Sequence, residues 1–374
     1  MLLVAGAGMA GLCAAARANE LGLETLVLEK GSRPGGSMLL SSCVVWRHRS
    51  LEDFRAECPG GDPRPQQRII EELDEGLEWL ESLGAPVVAR GTGNPRTAGW
   101  RFDPVGLTRA LVGAAGEVQL GRALAESREQ QTVLATGGYG GRLAREGGLP
   151  LRANAWSEGE GRAFAEERGA EFWGDDAEFY GRLMPAAPFG EPDFVRASQL
   201  YGRFGVLTDR SGRALPDRSG RALPVDPSWS EVELPQALAA AGGRGWLVVD
   251  ALALEEPVRE RSVADMVAAA EELGAEIRRG QTLPALSLPE LAEHPRLRRA
   301  PFTAVEVAAA VTHTIGGIRI DERARVLNRD GRPIAGLLAC GADAGGISSG
   351  GYASGLAAAL VFGRIAAETT AAER

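Results

Sequence analysis

The hydrophobic positions of this chain change their period along its length, and those changes mark its elements. Residues 2–5 (LLVA) form an unbroken apolar run, the right length for one buried strand. Residues 10–20 are alanine-rich with helical spacing, and ETLVLEK (24–30) is a second buried strand. QQRIIEELDEGLEWLESLG (66–84) repeats its apolar residues near every third or fourth position, as an amphipathic helix does. The same reading predicts helices over 156–172 and 258–274, a strand over 116–120, a strand within 131–141 that runs into Ala135-Thr136-Gly137-Gly138, and one from 333 that ends at Gly341-Ala342-Asp343. Residues 348–368 read as a glycine loop feeding a long apolar helix. The segment 183–300 is richer in Pro and Arg and less periodic. Within it, DRSGRALP occurs twice in tandem, at 209–216 and 217–224, and reads as a duplication that lengthens a turn or hairpin arm.

The first strand runs into Gly6-Ala7-Gly8-Met9-Ala10-Gly11, a GxGxxG that opens the first helix. Glu29 closes the second strand eighteen residues after Gly11. Strand, glycine turn, helix, strand and acid together are the dinucleotide fingerprint. Gly6 permits the turn, Gly8 lets backbone approach a pyrophosphate, and Gly11 lets helix and strand pack closely. The helix N-terminus offers free N–H groups to phosphate, and Glu29 can accept from ribose hydroxyls. By itself this fingerprint does not separate FAD from NAD. The following KGSRPGGSMLLSSC (30–43) is longer than a simple NAD domain requires. It suits a loop around a larger cofactor, with Lys30 among the cofactor-binding residues, Gly35, Gly36 and Ser37 near the pyrophosphate and Ser41 and Ser42 further towards a ring. Val118 is placed to meet an adenine edge. Ala135, Thr136 and Gly137 end a strand that can bring backbone to the dinucleotide. Asp343 can bind ribityl hydroxyls, and the helix start at Ser354, Gly355 and Leu356 can face an anionic ring edge.

Composition narrows the classes. The chain has 374 residues, 44% hydrophobic and 24% charged, which fits a globular protein of two domains. A net charge of −9 argues against a nucleic-acid partner. No run of eighteen apolar residues exists, so no membrane span is expected. The N-terminus lacks the basic region of a signal peptide. Cys13, Cys43, Cys58 and Cys340 and three scattered histidines lack metal-ligand spacing, so no metal is expected. The cysteines read as reduced thiols of a cytoplasmic protein. Lys30 is the only lysine, and no Walker motif surrounds it, which removes P-loop and Schiff-base chemistry.

In order, GAGMAG, LEKGSRPGGS, VLATGGYGG, THTIGGIRID and GLLACGADAGG with VFGRIAAE resemble the FAD-dependent fumarate reductase/succinate dehydrogenase flavoprotein family. The 3-ketosteroid dehydrogenases belong to the same superfamily. The likeness covers roughly residues 1–50, 130–182 and 302–374. It implies an α/β fold: a Rossmann-like FAD-binding domain with a parallel central sheet, in two parts (1–181 and 302–374), and a smaller inserted α+β cap (182–301). Ser37 stands where covalently flavinylated members carry histidine, so the resemblance implies non-covalent FAD. Family members place a histidine like His313 against the substrate. Tyr180, in EFYGR, stands where fumarate reductases carry a substrate-binding histidine, with Arg182 or Arg203 as a nearby cation. Tyr352, in SGGYASG, replaces the arginine that clamps a carboxylate in fumarate reductases. A phenol cannot make that bidentate clamp, and the loop is closer to the ketosteroid-dehydrogenase pattern.

The expected activity is dehydrogenation next to a carbonyl: Tyr352 polarises the carbonyl, Tyr180 acts as acid or base, His313 orients the substrate and Arg182 supports them. The alternatives are reduction of an activated alkene by a fumarate-reductase-like enzyme with an external donor, and a non-catalytic FAD-binding protein. The expected partners are a small molecule with a carbonyl or carboxylate and an unidentified electron acceptor or donor, with neither nucleic acid nor membrane.

Overall fold

The computed structural model describes residues 1–124, 131–216 and 231–374. The second DRSGRALP copy (217–224) lies outside the described residues. The chain divides into two compact units. The first comprises Met1–Arg142, Asn154–Phe179 and His313–Arg374, and the second Leu143–Ala153 and Tyr180–Thr312. The second unit thus takes in 143–153 and all but the last two residues of the strand Phe302–Thr314, both of which the sequence reading assigns to the cofactor domain.

The first unit is built on a six-stranded sheet. Its order is Arg325–Leu327, Pro333–Ala339, Thr132–Leu134, Leu2–Ala5, Thr25–Glu29, Val118–Leu120. The first pair is antiparallel and every other pair is parallel. The short apolar runs sit in the middle because parallel strands are covered on both faces; Leu2–Ala5 is wholly buried. The helix Met9–Glu20 packs on it, and Gly363 lets the C-terminal helix Gly355–Ala372 approach closely, since a Cβ there would lie 2.5 Å from Ala10 O and 2.9 Å from Cys13 Cβ. Helix starts follow their caps. Asp62 accepts from Arg64 N ahead of Pro63, Asp103 accepts from Gly106 N ahead of Pro104, and Ser354 accepts from Ala357 N.

The second unit is an antiparallel sheet in the order Val206–Asp209, Arg244–Val249, Phe302–Thr314, Ile277–Gly280, with Phe179–Pro185 also pairing Phe302–Thr314. In the first DRSGRALP copy, Asp209 accepts from the backbone N–H groups of Ser211 and Arg213, so the copy is a turn.

Two helices are shorter than their periodicity predicts. The expected 156–172 helix is Glu160–Glu166, because Gly159 ahead of it takes φ 97° and breaks the spiral. The expected 258–274 helix is Val263–Glu272. Residues 257–262 instead form a two-stranded hairpin, and a Ser262–Asp265 capping box starts the helix. Among the described residues, no helix is long and apolar enough to cross a membrane.

Candidate active site

The glycine turn is a cradle with one open side. A Cβ on Gly6 (φ 106°) would lie 2.2 Å from the Ala135 carbonyl oxygen, and one on Gly11 would lie 1.9 Å from the Gly6 oxygen. Both positions therefore exclude a side chain on packing grounds alone. A Cβ on Gly8 would meet nothing within 4 Å. That open volume lies at the N-cap of the helix Met9–Glu20, where free N–H groups collect. Gly35 N donates to Ala7 O (2.7 Å), and a Cβ on Gly36 would stand 3.1 Å from Gly8 Cα, so the second glycine pair closes on the first. Glu29 is buried and accepts from Ala7 N (2.8 Å) and Gly31 N (2.6 Å). A carboxylate offers about four acceptor sites, so capacity for a ribose remains. A pyrophosphate-bearing cofactor fits this arrangement.

Other expected contacts are engaged within the protein. Asp343 accepts from Thr136 N, Thr136 Oγ1 (2.9 Å) and Gly138 N (3.1 Å). Burial pushes its carboxyl up to about 6 against these bonds. Asp343, in the turn that follows the strand Pro333–Ala339, thus ties that strand end to the Ala135-Thr136-Gly137 turn, and Thr136 Oγ1 accepts in turn from Gly161 N (3.2 Å). Lys30 pairs with Glu160. Ser37 Oγ accepts from Asn154 N (3.2 Å). Ser41 Oγ donates to Met38 O and accepts from Cys43 N, shaping its own turn, while Ser42 is exposed. Val118 is half-buried on the edge strand beside Val27.

At the start of the C-terminal helix three rings meet. His313 and Tyr352 lie edge to face with centroids 5.8 Å apart, and Trp46 sets its ring 6.0 Å from Tyr352 at 68°. Gly355 N lies 3.4 Å from Tyr352 Oη, a long hydrogen bond. A Cβ on Gly355 would be 2.9 Å from His313 Cε1, so glycine is what lets the imidazole lie against the helix end. Both His313 nitrogens are closed off from solvent. Burial lowers its pKa to about 4, so the ring is neutral at pH 7. It orients or hydrogen-bonds; it does not bring a positive charge.

Two residues outside the predicted set hold this corner. Trp46 is buried on the strand Val44–His48, against which Gly99 packs without room for a side chain. Glu178 is buried; its Oε1 accepts from Gly350 N and its carbonyl from Ile315 N, both at 3.0 Å. It therefore anchors the 313–317 and 348–354 loops together. Neither carries a local sequence signal, since Trp46 meets Tyr352 and Glu178 meets Gly350 across long stretches of chain.

In the second unit, Arg182 is 6% exposed and its guanidinium lies 4.8 Å from the Tyr180 ring centroid.

The sequence model of the family described as FAD binding domain matches residues 2–126 and 115–356. The chain belongs to this FAD-binding family. This FAD-binding protein is also 43% identical over 76 residues to the NADH:acrylate oxidoreductase of Vibrio harveyi and 40% identical over 77 to a probable fumarate reductase, Ifc3, of Shewanella frigidimarina. Each match covers 20% of this chain, and 8% and 13% of the respective relative. The chain thus matches only a small part of these relatives. Its fold is that of a flavocytochrome c3 fumarate reductase in an open conformation (TM-score 0.71, 20% identity, 100% of this chain and 78% of that one). It is equally that of the 3-ketosteroid delta1-dehydrogenase from Sterolibacterium denitrificans (TM-score 0.71, 15% identity, 100% and 99%).

Proposed function

We propose that this FAD-binding protein is an oxidoreductase acting on a CH–CH group, and that it forms a C=C bond next to a carbonyl. The observation that carries the reading is the pairing of Tyr352 Oη with the Gly355 N–H at the mouth of an eighteen-residue helix. A phenol and a helix N-terminus at one point polarise a carbonyl oxygen as charge develops on it. Bound FAD supplies the acceptor for the hydride that leaves the substrate. Gly6 to Gly11, Glu29, Lys30, Gly35 to Ser37 and the Ala135-Thr136-Gly137 turn would hold it, with Asp343 setting that turn. Ser41, Ser42 and Val118 are peripheral, and Ser354 to Leu356 would meet the ring's anionic edge. Ser37 offers no imidazole for a covalent link, which supports non-covalent binding. His313, neutral and wedged on Gly355, orients the substrate. Tyr180 is assigned the acid–base step, with Arg182, whose guanidinium lies 4.8 Å from its ring centroid, as the cation that supports it. The substrate is a small molecule with a carbonyl or carboxylate. The four described cysteines are free thiols, which supports a cytoplasmic location.

The second reading is reduction of an activated alkene with electrons from a separate donor. The names of the acrylate and fumarate relatives favour it; the tyrosine at 352 favours the first. A non-catalytic FAD protein is the third. Anaerobic mixing of the holoprotein with a panel of ketones and carboxylates separates them. Bleaching of the visible flavin band supports dehydrogenation. A flavin that no compound bleaches, but that enones or enoates reoxidise after dithionite reduction, supports the reverse reaction. A flavin inert in both directions overturns both.

A further inference from the structure

Two buried hydroxyls of the first unit, Thr314 Oγ1 and Ser349 Oγ, have no hydrogen-bond partner among the described residues. A buried hydroxyl without a partner destabilises the fold that holds it, so each one needs a physical reason. Ser349 Oγ neighbours Gly174, which follows a strand of a separate two-stranded sheet. Thr314 is placed differently. It ends the strand Phe302–Thr314, is 4% exposed, and sets its Oγ1 beside Gly138. Gly138 takes φ 71°, and a Cβ there would fall 2.5 Å from Thr314 Oγ1 and 2.9 Å from Ala342 O. Glycine therefore keeps the space beside the hydroxyl clear. Gly138 and Ala342 belong to the turns that follow Thr132–Leu134 and Pro333–Ala339, two parallel strands that pair with Leu134 opposite Ala339. The carboxyl ends of such strands are where open α/β sheets take their ligands.

The neighbours of Thr314 also say which part of the cofactor it meets. The pyrophosphate cradle is at Gly8, and the ring end is at Gly355, against which His313 lies. Thr314 follows His313 in the chain and borders the Ala135-Thr136-Gly137-Gly138 turn that Asp343 holds. Between its pyrophosphate and its ring, FAD carries a ribityl chain, whose hydroxyls both donate and accept. A threonine hydroxyl does the same. We infer that Thr314 is a cofactor-binding residue, its hydroxyl reserved for a hydroxyl of the FAD ribityl chain. This rests on the proposed placement of FAD along the strand ends. The hydroxyl burdens the apoprotein and serves the holoprotein, so its removal acts in opposite directions on the two.

Thr314→Val replaces the hydroxyl by a methyl of nearly the same size. The variant apoprotein should melt at or above the wild-type temperature, by up to about 3 °C. Calorimetric titration with FAD should give a Kd raised about tenfold. An apoprotein that melts clearly below wild type means that the hydroxyl has a partner within the protein, and overturns the inference; an unchanged Kd does the same. The visible band of the bound flavin should keep its position, since a ribityl contact leaves the ring's surroundings alone. A displaced band puts the hydroxyl at the ring and overturns the ribityl assignment. Thr314→Ser and Thr314→Ala differ only in the hydroxyl and guard against a packing effect of valine. The serine variant should bind FAD about tenfold more tightly than the alanine variant; equal affinities overturn the inference. Gly8→Ala separates this claim from the placement of FAD. If Gly8→Ala weakens FAD binding and Thr314→Val does not, the inference alone fails; if neither weakens it, the placement fails too.

Discussion

His313 and Tyr352 meet edge to face, 5.8 Å between centroids and 85° between planes, with Gly355 the only kind of residue that fits behind the imidazole. The imidazole's burial has a measurable consequence. Its folded pKa is about 4 against 6.5 for the free side chain. Between these values the unfolded chain binds the proton and the folded one does not, so the stabilisation is complete above pH 6.5 and is lost as pH falls towards 4. Its size is on the order of 3 kcal/mol. Asp343 and Glu231, whose pKa values are raised, act in the opposite direction. The difference between wild type and His313→Gln in urea midpoints across pH 4 to 7 therefore isolates the histidine. We expect that difference to carry the slope.

Gly8 and Gly6 should separate cofactor binding from folding. Gly8→Ala adds a methyl into open space, so the apoprotein should lose at most about 1 kcal/mol from a poorer N-cap. The same methyl stands where the pyrophosphate needs backbone, so FAD affinity should fall about tenfold or more. Gly6→Ala meets the Ala135 carbonyl at 2.2 Å in a left-handed conformation and should fail to fold. Thermal melts of apoprotein and FAD titrations check both.

Glu178 should matter through the acceptor it offers rather than through its charge. Glu178→Ala leaves the Gly350 N–H unanswered and should cost about 1–3 kcal/mol. Glu178→Gln keeps an amide oxygen there and should retain most of that stability. Urea denaturation of the two variants is the check.

Cys13, Cys43, Cys58 and Cys340 are all buried, and burial raises each thiol. The native protein should resist a thiol-reactive chromogenic disulfide, and all four thiols should react after denaturation.

Much of this was legible in the sequence, for identifiable reasons. The strand–GxGxxG–helix–strand–Glu29 order fixes local geometry within thirty residues, so periodicity and glycine spacing locate it. Asp343 was legible as important, but its partners, Thr136 and Gly138, lie 205 or more positions away and no local pattern reveals them. Trp46 and Glu178 act through contacts with Tyr352 and Gly350, again far along the chain. The helices at 160 and 263 start late because one left-handed glycine and one capping box override apolar spacing.

The central claim is that Tyr352 polarises the substrate carbonyl. Its most direct test is single-turnover anaerobic flavin reduction in wild type and Tyr352→Phe, using whichever compound bleaches the wild-type flavin, with FAD content measured on the same samples. The account predicts full FAD occupancy in the variant and a reduction rate lower by about 10²–10⁴-fold. An equal rate at equal FAD content would contradict it.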